Sequence, residues 1–208
     1  MSKIESVYES RFIKVFDLQY AEGKHYLDAT RRSKENLVAG KSLEEFKSML
    51  PDAVSIAAVI RVKGEPARLL LSREYRYPAA QFLLSPPAGL IDPEDATKSD
   101  PLIVTAKREL EEETGIEAGA DDTFRIINPL LFSTPGMTDE SNALVEAVIV
   151  RDKMPELSQE GAVGSEKFDG FVLLTREEAK KVLNDGVDDR GIFYSVYTWA
   201  VLMHFINM

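Results

Sequence analysis

Apolar and polar positions along the chain change pattern several times, and each change marks an element. From residue 53, AVSIAAVIRV and, after a turn at Lys63-Gly64-Glu65-Pro66, ARLLLSREYR are nearly continuous apolar runs. They predict two strands buried on both faces. QFLLS at 81–85, FRIINPLLFS at 124–133, ALVEAVIV at 143–150 and FDGFVLLT at 168–175 read as further strands. Nearer the start, RFIKVFDL (11–18) and KHYLDAT (24–30) flank the turn Tyr20-Ala21-Glu22-Gly23 and predict a β-hairpin. A lone hairpin is not stable in water, so it must pack on the main body or on another subunit.

Helical signals are as legible. Ser42 with Glu45 three residues on is a capping box opening LEEFKSML, which Pro51 ends. Thr175 with Glu178 opens REEAKKVLND, and Gly186 closes it. Asp100-Pro101 is read as a helix start in which the aspartate accepts from orphan N–H groups, and Gly115 as the stop. The final run, IFYSVYTWAVLMHFIN, is apolar over a helical length, which places Trp199 and Met203 in the core or a subunit interface. Strands around one helix, then two further helices, describe an α/β (α+β) sandwich with a mixed sheet between helices. The expected division is an accessory piece at 1–50, hairpin plus short helix, and a main domain at 51–208.

Composition narrows the function. With 208 residues and 44% hydrophobic content the chain can build one substantial core. A net charge of −10 speaks against nucleic acid and gives no basic patch for a membrane. There is no cysteine, which excludes thiol catalysis, disulfides and thiolate metal sites. His25 and His204 have no metal-ligand spacing. No apolar segment is long enough to span a bilayer and MSKIESVYESRF lacks a signal-peptide core, so the expected compartment is the cytoplasm.

The candidate chemistry lies in PPAGLIDPEDATKSDPLIVTAKRELEEETGI, residues 86–116. At about 100° per residue, Glu109, Glu112 and Glu113 fall in one sector of the helix while Glu111 points away. Charges about 5–6 Å apart repel by roughly 3 kcal/mol at an effective dielectric near 20, and these crowd the helix's negative end. Arg108, i,i+4 to Glu112, balances one of them. A divalent cation would balance the rest, and hard carboxylate ligands suit Mg2+ or Mn2+.

Gly89, Arg108-Glu109-Leu110, Glu112-Glu113 and Gly115-Ile116 together resemble the box of the Nudix hydrolases, G-x5-E-x7-R-E-U-x-E-E-x-G-U with U apolar. RELEEETGI matches at every specified position. Gly89 lies five residues too far upstream of Arg108, and counting back from Arg108 puts Asp100 where the first Glu belongs, with a lengthened loop from Asp92 to Asp100. REYRYP followed by PPAGLID, and PGMTDE further on, resemble the ADP-ribose pyrophosphatase branch. Where that branch carries Glu two positions before the Pro of PAG, this chain has Ser85.

The resemblance covers roughly residues 53–190 and implies the Nudix fold and hydrolysis of a nucleoside diphosphate sugar such as ADP-ribose. It implies Mg2+ or Mn2+ held by Glu109, Glu113 and the Ala88 carbonyl, with Glu112 a further ligand or a water-positioning group and Arg108 orienting the glutamates. Arg76 would contact the substrate's phosphate or terminal ribose, with the turns at Gly89 and Gly136 beside the substrate. Glu140 would be the general base, with Glu166 in PELSQEGAVGSEKF as its competitor. The N-terminal hairpin would serve adenine binding and a homodimer.

Overall fold

The computed structural model describes residues 3–161 and 166–208. The chain forms two compact units, Met1–Asp52 with Leu130–Asn142, and Ala53–Pro129 with Ala143–Met208. Residues 130–142 thus join the first unit, whereas the sequence pattern had assigned them to the main domain.

In the first unit, β2 (Lys14–Ala21) and β3 (Lys24–Thr30) are the expected antiparallel hairpin, and β1 (Lys3–Glu9) adds a third strand on β2. The sequence reading missed β1 because KIESVYE is exposed almost throughout and has no apolar face to announce it. Phe16, Leu18 and Leu37 form a small core with Ile4 and Ala39. The short helix α1 (Leu43–Ser48) opens on the capping box of Ser42 and Glu45. The returning segment is tied in by Asp139 N–H donating to Asp28 Oδ1 at 3.1 Å, Val38 N–H to Asp139 Oδ2 at 3.1 Å, and Ala29 N–H to the Met137 carbonyl at 3.0 Å.

The second unit holds the main sheet except for residues 130–132 and 141–142. Its strands are β4 (Ala53–Val62), β5 (Arg68–Arg76), β6 (Gln81–Ser85), β7 (Ala88–Leu90), β8 (Thr123–Phe132), β9 (Ser141–Arg151) and β10 (Phe168–Leu174). The order is β10-β5-β4-β9-β8, with β6 paired to β5 and β7 to β4. The sheet is mixed and packed by helices, the α/β architecture the pattern predicts. Val54, Ile56, Ala58 and Ile60 on one face of β4 cluster with Leu102, Ala106 and Leu110 of α2 (Pro101–Thr114). The period of two along the strand leaves the other face to α4 (Val196–Ile206), which packs on β4 and bonds the Leu84 carbonyl through the Thr198 hydroxyl at 2.6 Å.

The helix α3 (Arg176–Asp185) begins on its Thr175–Glu178 capping box and ends at Gly186. Two helix readings need correction. The last helix starts at Val196, with Ser195 as N-cap accepting from Thr198 N–H, so residues 192–195 are not helical, and Trp199 is about half exposed. Helix α2 does begin at Pro101, but the Asp100 side chain makes no capping hydrogen bond.

Candidate active site

Helix α2 carries two kinds of buried residue. Leu102, Ala106 and Leu110 recur at i, i+4 and i+8 and anchor it to the core, while Thr105, Glu109 and Glu113 repeat the same spacing from three residues after Leu102 and are also buried. Packing the helix on β4 and β7 therefore forces two carboxylates inward, Glu109 at 7% and Glu113 at 5% exposure.

Both meet the start of β7. Ala88 N–H donates to Glu113 Oε2 at 3.3 Å. A Cβ on Gly89 would lie 1.9 Å from the Glu109 carboxyl carbon, so only glycine leaves room for that carboxylate against the strand. Gly115 takes the left-handed conformation at φ 71°, and its N–H bonds the Glu111 carbonyl at 2.8 Å.

Arg108 gathers the acids on one side. Its guanidinium donates to Asp95 Oδ2 at 3.0 Å and to Glu112 Oε2 at 2.9 Å, lies 2.8 Å from Glu109 Oε1, and also reaches the Leu90 carbonyl at 3.0 Å. Burial alone would lower its pKa, but Glu109, Asp95, Glu112 and Asp92 outweigh it and hold the arginine charged.

Asp95 corrects the sequence reading. It is buried, also accepts from the Thr105 hydroxyl at 3.1 Å, and stands six residues after Gly89, the spacing the box gives its first acid. The extra residues of the loop therefore follow this acid. Counting forward from Gly89, instead of back from Arg108 to Asp100, would have found it.

Glu113 is in a different situation. Among the described residues no ion pair includes it. Burial pushes its pKa to about 9, with the carboxylates of Glu74, Glu109 and Glu166 adding to the rise and the Ala88 N–H opposing it. Burial likewise pushes Glu109 to about 7 against the pull of Arg108. Glu74, at the end of β5, is raised by burial too, opposed by its ion pair with Arg76 and increased by Glu166.

The structure thus brings together Arg108, Glu109, Glu112, Glu113, Ala88 and Gly89, while Arg76, also in the second unit, pairs with Glu74. It adds Asp95 and Glu74, which the sequence reading left without a role. The charge of Glu166 adds to the rise of Glu74, Glu109 and Glu113. The stretch before it reaches the end of α2: Ser158 N–H bonds the Thr114 carbonyl at 3.0 Å, and a Cβ on Gly161 would lie 2.3 Å from the Glu112 carbonyl oxygen. Residues 162–165 of that stretch lie outside the described residues.

Glu140 and Gly136 lie in the first unit. Glu140 Oε1 is 3.6 Å from Arg31, and the Gly136 carbonyl accepts from the Tyr26 hydroxyl at 2.5 Å. Ser85 is buried and offers no carboxylate. His204 bonds Glu146 at 2.6 Å and His25 bonds Asp17 at 2.7 Å, which gives both histidines structural partners.

The donor set fits a divalent cation by its chemistry: hard oxygens, mostly buried, whose negative charge exceeds that of the adjacent arginines. Among the described residues no three such side chains close into a ready-made cage. Mg2+ seldom uses one, since it keeps several waters and is held by one or two carboxylates together with substrate phosphates.

The fold and this helix-and-turn geometry coincide with a known family. Residues 49–194 match the NUDIX domain, and the chain belongs to that family. It is similar to the putative nudix hydrolase 2 of Caenorhabditis elegans, 33% identical over 141 residues that cover 68% of this chain and 59% of that protein. The ADP-ribose pyrophosphatase of Saccharomyces cerevisiae is 33% identical over 108 residues, 50% of this chain and 42% of the yeast protein. That of Bacillus subtilis is 24% identical over 151 residues, covering 73% and 70%. The chain thus spans less than two thirds of the worm and yeast proteins it matches. A crystal structure of an ADP compounds hydrolase shares the fold, with a TM-score of 0.56 and 20% identity over 99% of this chain and 92% of that one.

Proposed function

We propose that this chain hydrolyses the diphosphate bond of ADP-ribose or a related nucleoside diphosphate sugar, giving a nucleoside monophosphate and a sugar phosphate, in a reaction that depends on Mg2+ or Mn2+. The observation that carries the reading is Glu113. A carboxylate this deeply buried, crowded by three others and joined to no cation among the described residues, is costly unless a positive charge enters. The curated relatives named ADP-ribose pyrophosphatase support the substrate class.

Glu109, Glu112, Glu113 and the Ala88 carbonyl would hold the ion. Bound there, it would neutralise the diphosphate, polarise a phosphorus–oxygen bond and lower the pKa of water. Arg108 fixes Glu109 and Glu112 in place. Arg76, half-exposed at the end of β5, would meet a phosphate. We assign the proton of the attacking water to Glu166 in preference to Glu140, because Glu166 acts on the same carboxylates as the ion would, whereas Glu140 faces Arg31. Water attacks phosphorus, its proton passes to Glu166, and the bond to the leaving phosphate breaks.

The reading also includes a homodimer and the cytoplasm. The test is AMP release from ADP-ribose with Mg2+, compared among wild type, Glu113→Gln, Glu166→Gln and Glu140→Gln. Loss in the first two and retention in the third is the expected result. Release without metal, or unchanged in Glu113→Gln, refutes the metal assignment.

A further inference from the structure

The returning segment of the first unit is held to β3 at three places. Ala29 N–H donates to the Met137 carbonyl at 3.0 Å, the Tyr26 hydroxyl to the Gly136 carbonyl at 2.5 Å, and Asp139 N–H to Asp28 Oδ1 at 3.1 Å. The first two join neutral groups and are indifferent to pH until tyrosine ionises. The third ends on a carboxyl group.

That carboxyl is poorly provided for as an anion. Asp28 is 6% exposed and Asp139 9%, and Leu18, Val38, Phe132 and Met137 line the cavity wall beside them. Each acid uses one oxygen to accept a backbone N–H, Asp28 from Asp139 and Asp139 Oδ2 from Val38 at 3.1 Å. The other oxygens, Asp28 Oδ2 and Asp139 Oδ1, are sealed from solvent and have no hydrogen-bond partner among the described residues. Arg32 does not make good the deficit. Its guanidinium donates to Asp52 at 2.8 Å and stands 3.8 Å from Asp139 Oδ2, beyond hydrogen-bond reach.

Two buried acceptors without a donor form an arrangement that one proton completes. Placed on Asp28 Oδ2, it removes a buried charge and creates an O–H donor. We propose that Asp28 and Asp139 form a proton-operated clasp: one proton held by the pair fastens residues 136–139 to β3, and its loss loosens them. The clasp is independent of the metal-dependent reading above.

The charged groups facing Asp28 are Asp139 and Arg32. Burial, then the Asp139 charge, push the Asp28 pKa up from 3.8 to about 6, against the Asp139 N–H and Arg32. The closed form therefore keeps a proton that a solvated Asp28 releases at 3.8. Its stabilisation is complete below that pH and is lost as the pH rises through 6. From about pH 8 down to about pH 5 the closed form should gain about tenfold over the open one.

The test is NMR on the full chain, following the Asp28 carboxyl carbon and the hydrogen-exchange protection of the Val38 and Asp139 amides, each referred to its intrinsic rate at that pH. In wild type Asp28 should titrate at about 6, and protection should fall about tenfold between about pH 5 and about pH 8. Asp28→Asn carries a permanent donor and should hold protection level over that range. Asp28 titrating at its ordinary 3.8, or an equal fall of protection in Asp28→Asn, overturns the proposal. Should Asp28→Asn fail to fold, Asp139→Asn decides. It removes the neighbouring charge and offers an amide donor, so Asp28 should titrate clearly below its wild-type value. An unmoved titration there overturns the clasp.

Discussion

Glu109 and Glu113 stand one helical turn apart on α2 and are buried to nearly the same degree, yet their surroundings are opposite. Glu109 shares Arg108 with Asp95 and Glu112, while Glu113 has a backbone N–H and three neighbouring carboxylates. The contrast separates two uses of buried charge. On the Arg108 side the charges are mutually satisfied and hold the helix to the loop before it. On the other side Glu113 has no ion-pair partner among the described residues, and that imbalance is the ground of the proposed cation site.

The largest effect should come from the unsatisfied side. Glu113→Gln is expected to lower metal-dependent AMP release by about a thousandfold, the scale for removing a preorganised electrostatic group. The same substitution should raise the melting temperature of the metal-free chain at alkaline pH, because an uncompensated buried charge disappears. A fall in melting temperature would break the comparison.

Arg108→Ala attacks the satisfied side. It strands Asp95, Glu109 and Glu112, and denaturant unfolding should show a loss of about 3 kcal/mol, the scale for breaking a buried pair. Next in size, Gly89→Ala should leave the fold intact, since the new Cβ meets only the movable end of Glu109. Displacing that carboxylate should still weaken Mn2+ binding by about tenfold in a calorimetric titration. The smallest effect sharpens the assignment of the loop: Asp95→Asn should cost about 1–2 kcal/mol in denaturant unfolding, and Asp100→Asn close to nothing.

These residues also mark how far the chain could be read without its structure. The capping boxes at Ser42 and Thr175 and the stops at Gly115 and Gly186 are local events, set by side chains within a few residues of the backbone they satisfy. RELEEETGI is equally local, because 100° per residue is enough to place its glutamates on one face. Asp95, Glu74 and β1 were not legible, each for its own physical reason. Asp95 acts through a loop whose extra residues fall on one side of it, and only its hydrogen bonds to Arg108 and Thr105 show which side. Glu74 sits in an apolar strand as an ordinary surface acid would, and its neighbours Glu113 and Glu166 come from distant parts of the chain. An exposed strand such as β1 leaves no apolar period to detect.

The pH dependence follows from the same imbalance. Glu109 and Glu113 are raised from 4.5 to about 7 and about 9 in the folded chain, so the native state binds protons that the unfolded state has already released. The stability this lends is fully present below pH 4.5 and is lost as the pH rises through 7 and then 9. A divalent ion entering the site must displace those protons.

Proton release on cation uptake is therefore the most direct measurement. Mn2+ titrated calorimetrically into the intact chain at pH about 7.5, in two buffers of different ionisation enthalpy, should discharge protons into the buffer, with affinity climbing as the pH is raised. Identical heats in both buffers with an affinity indifferent to pH, or no Mn2+ uptake at all, would contradict the account.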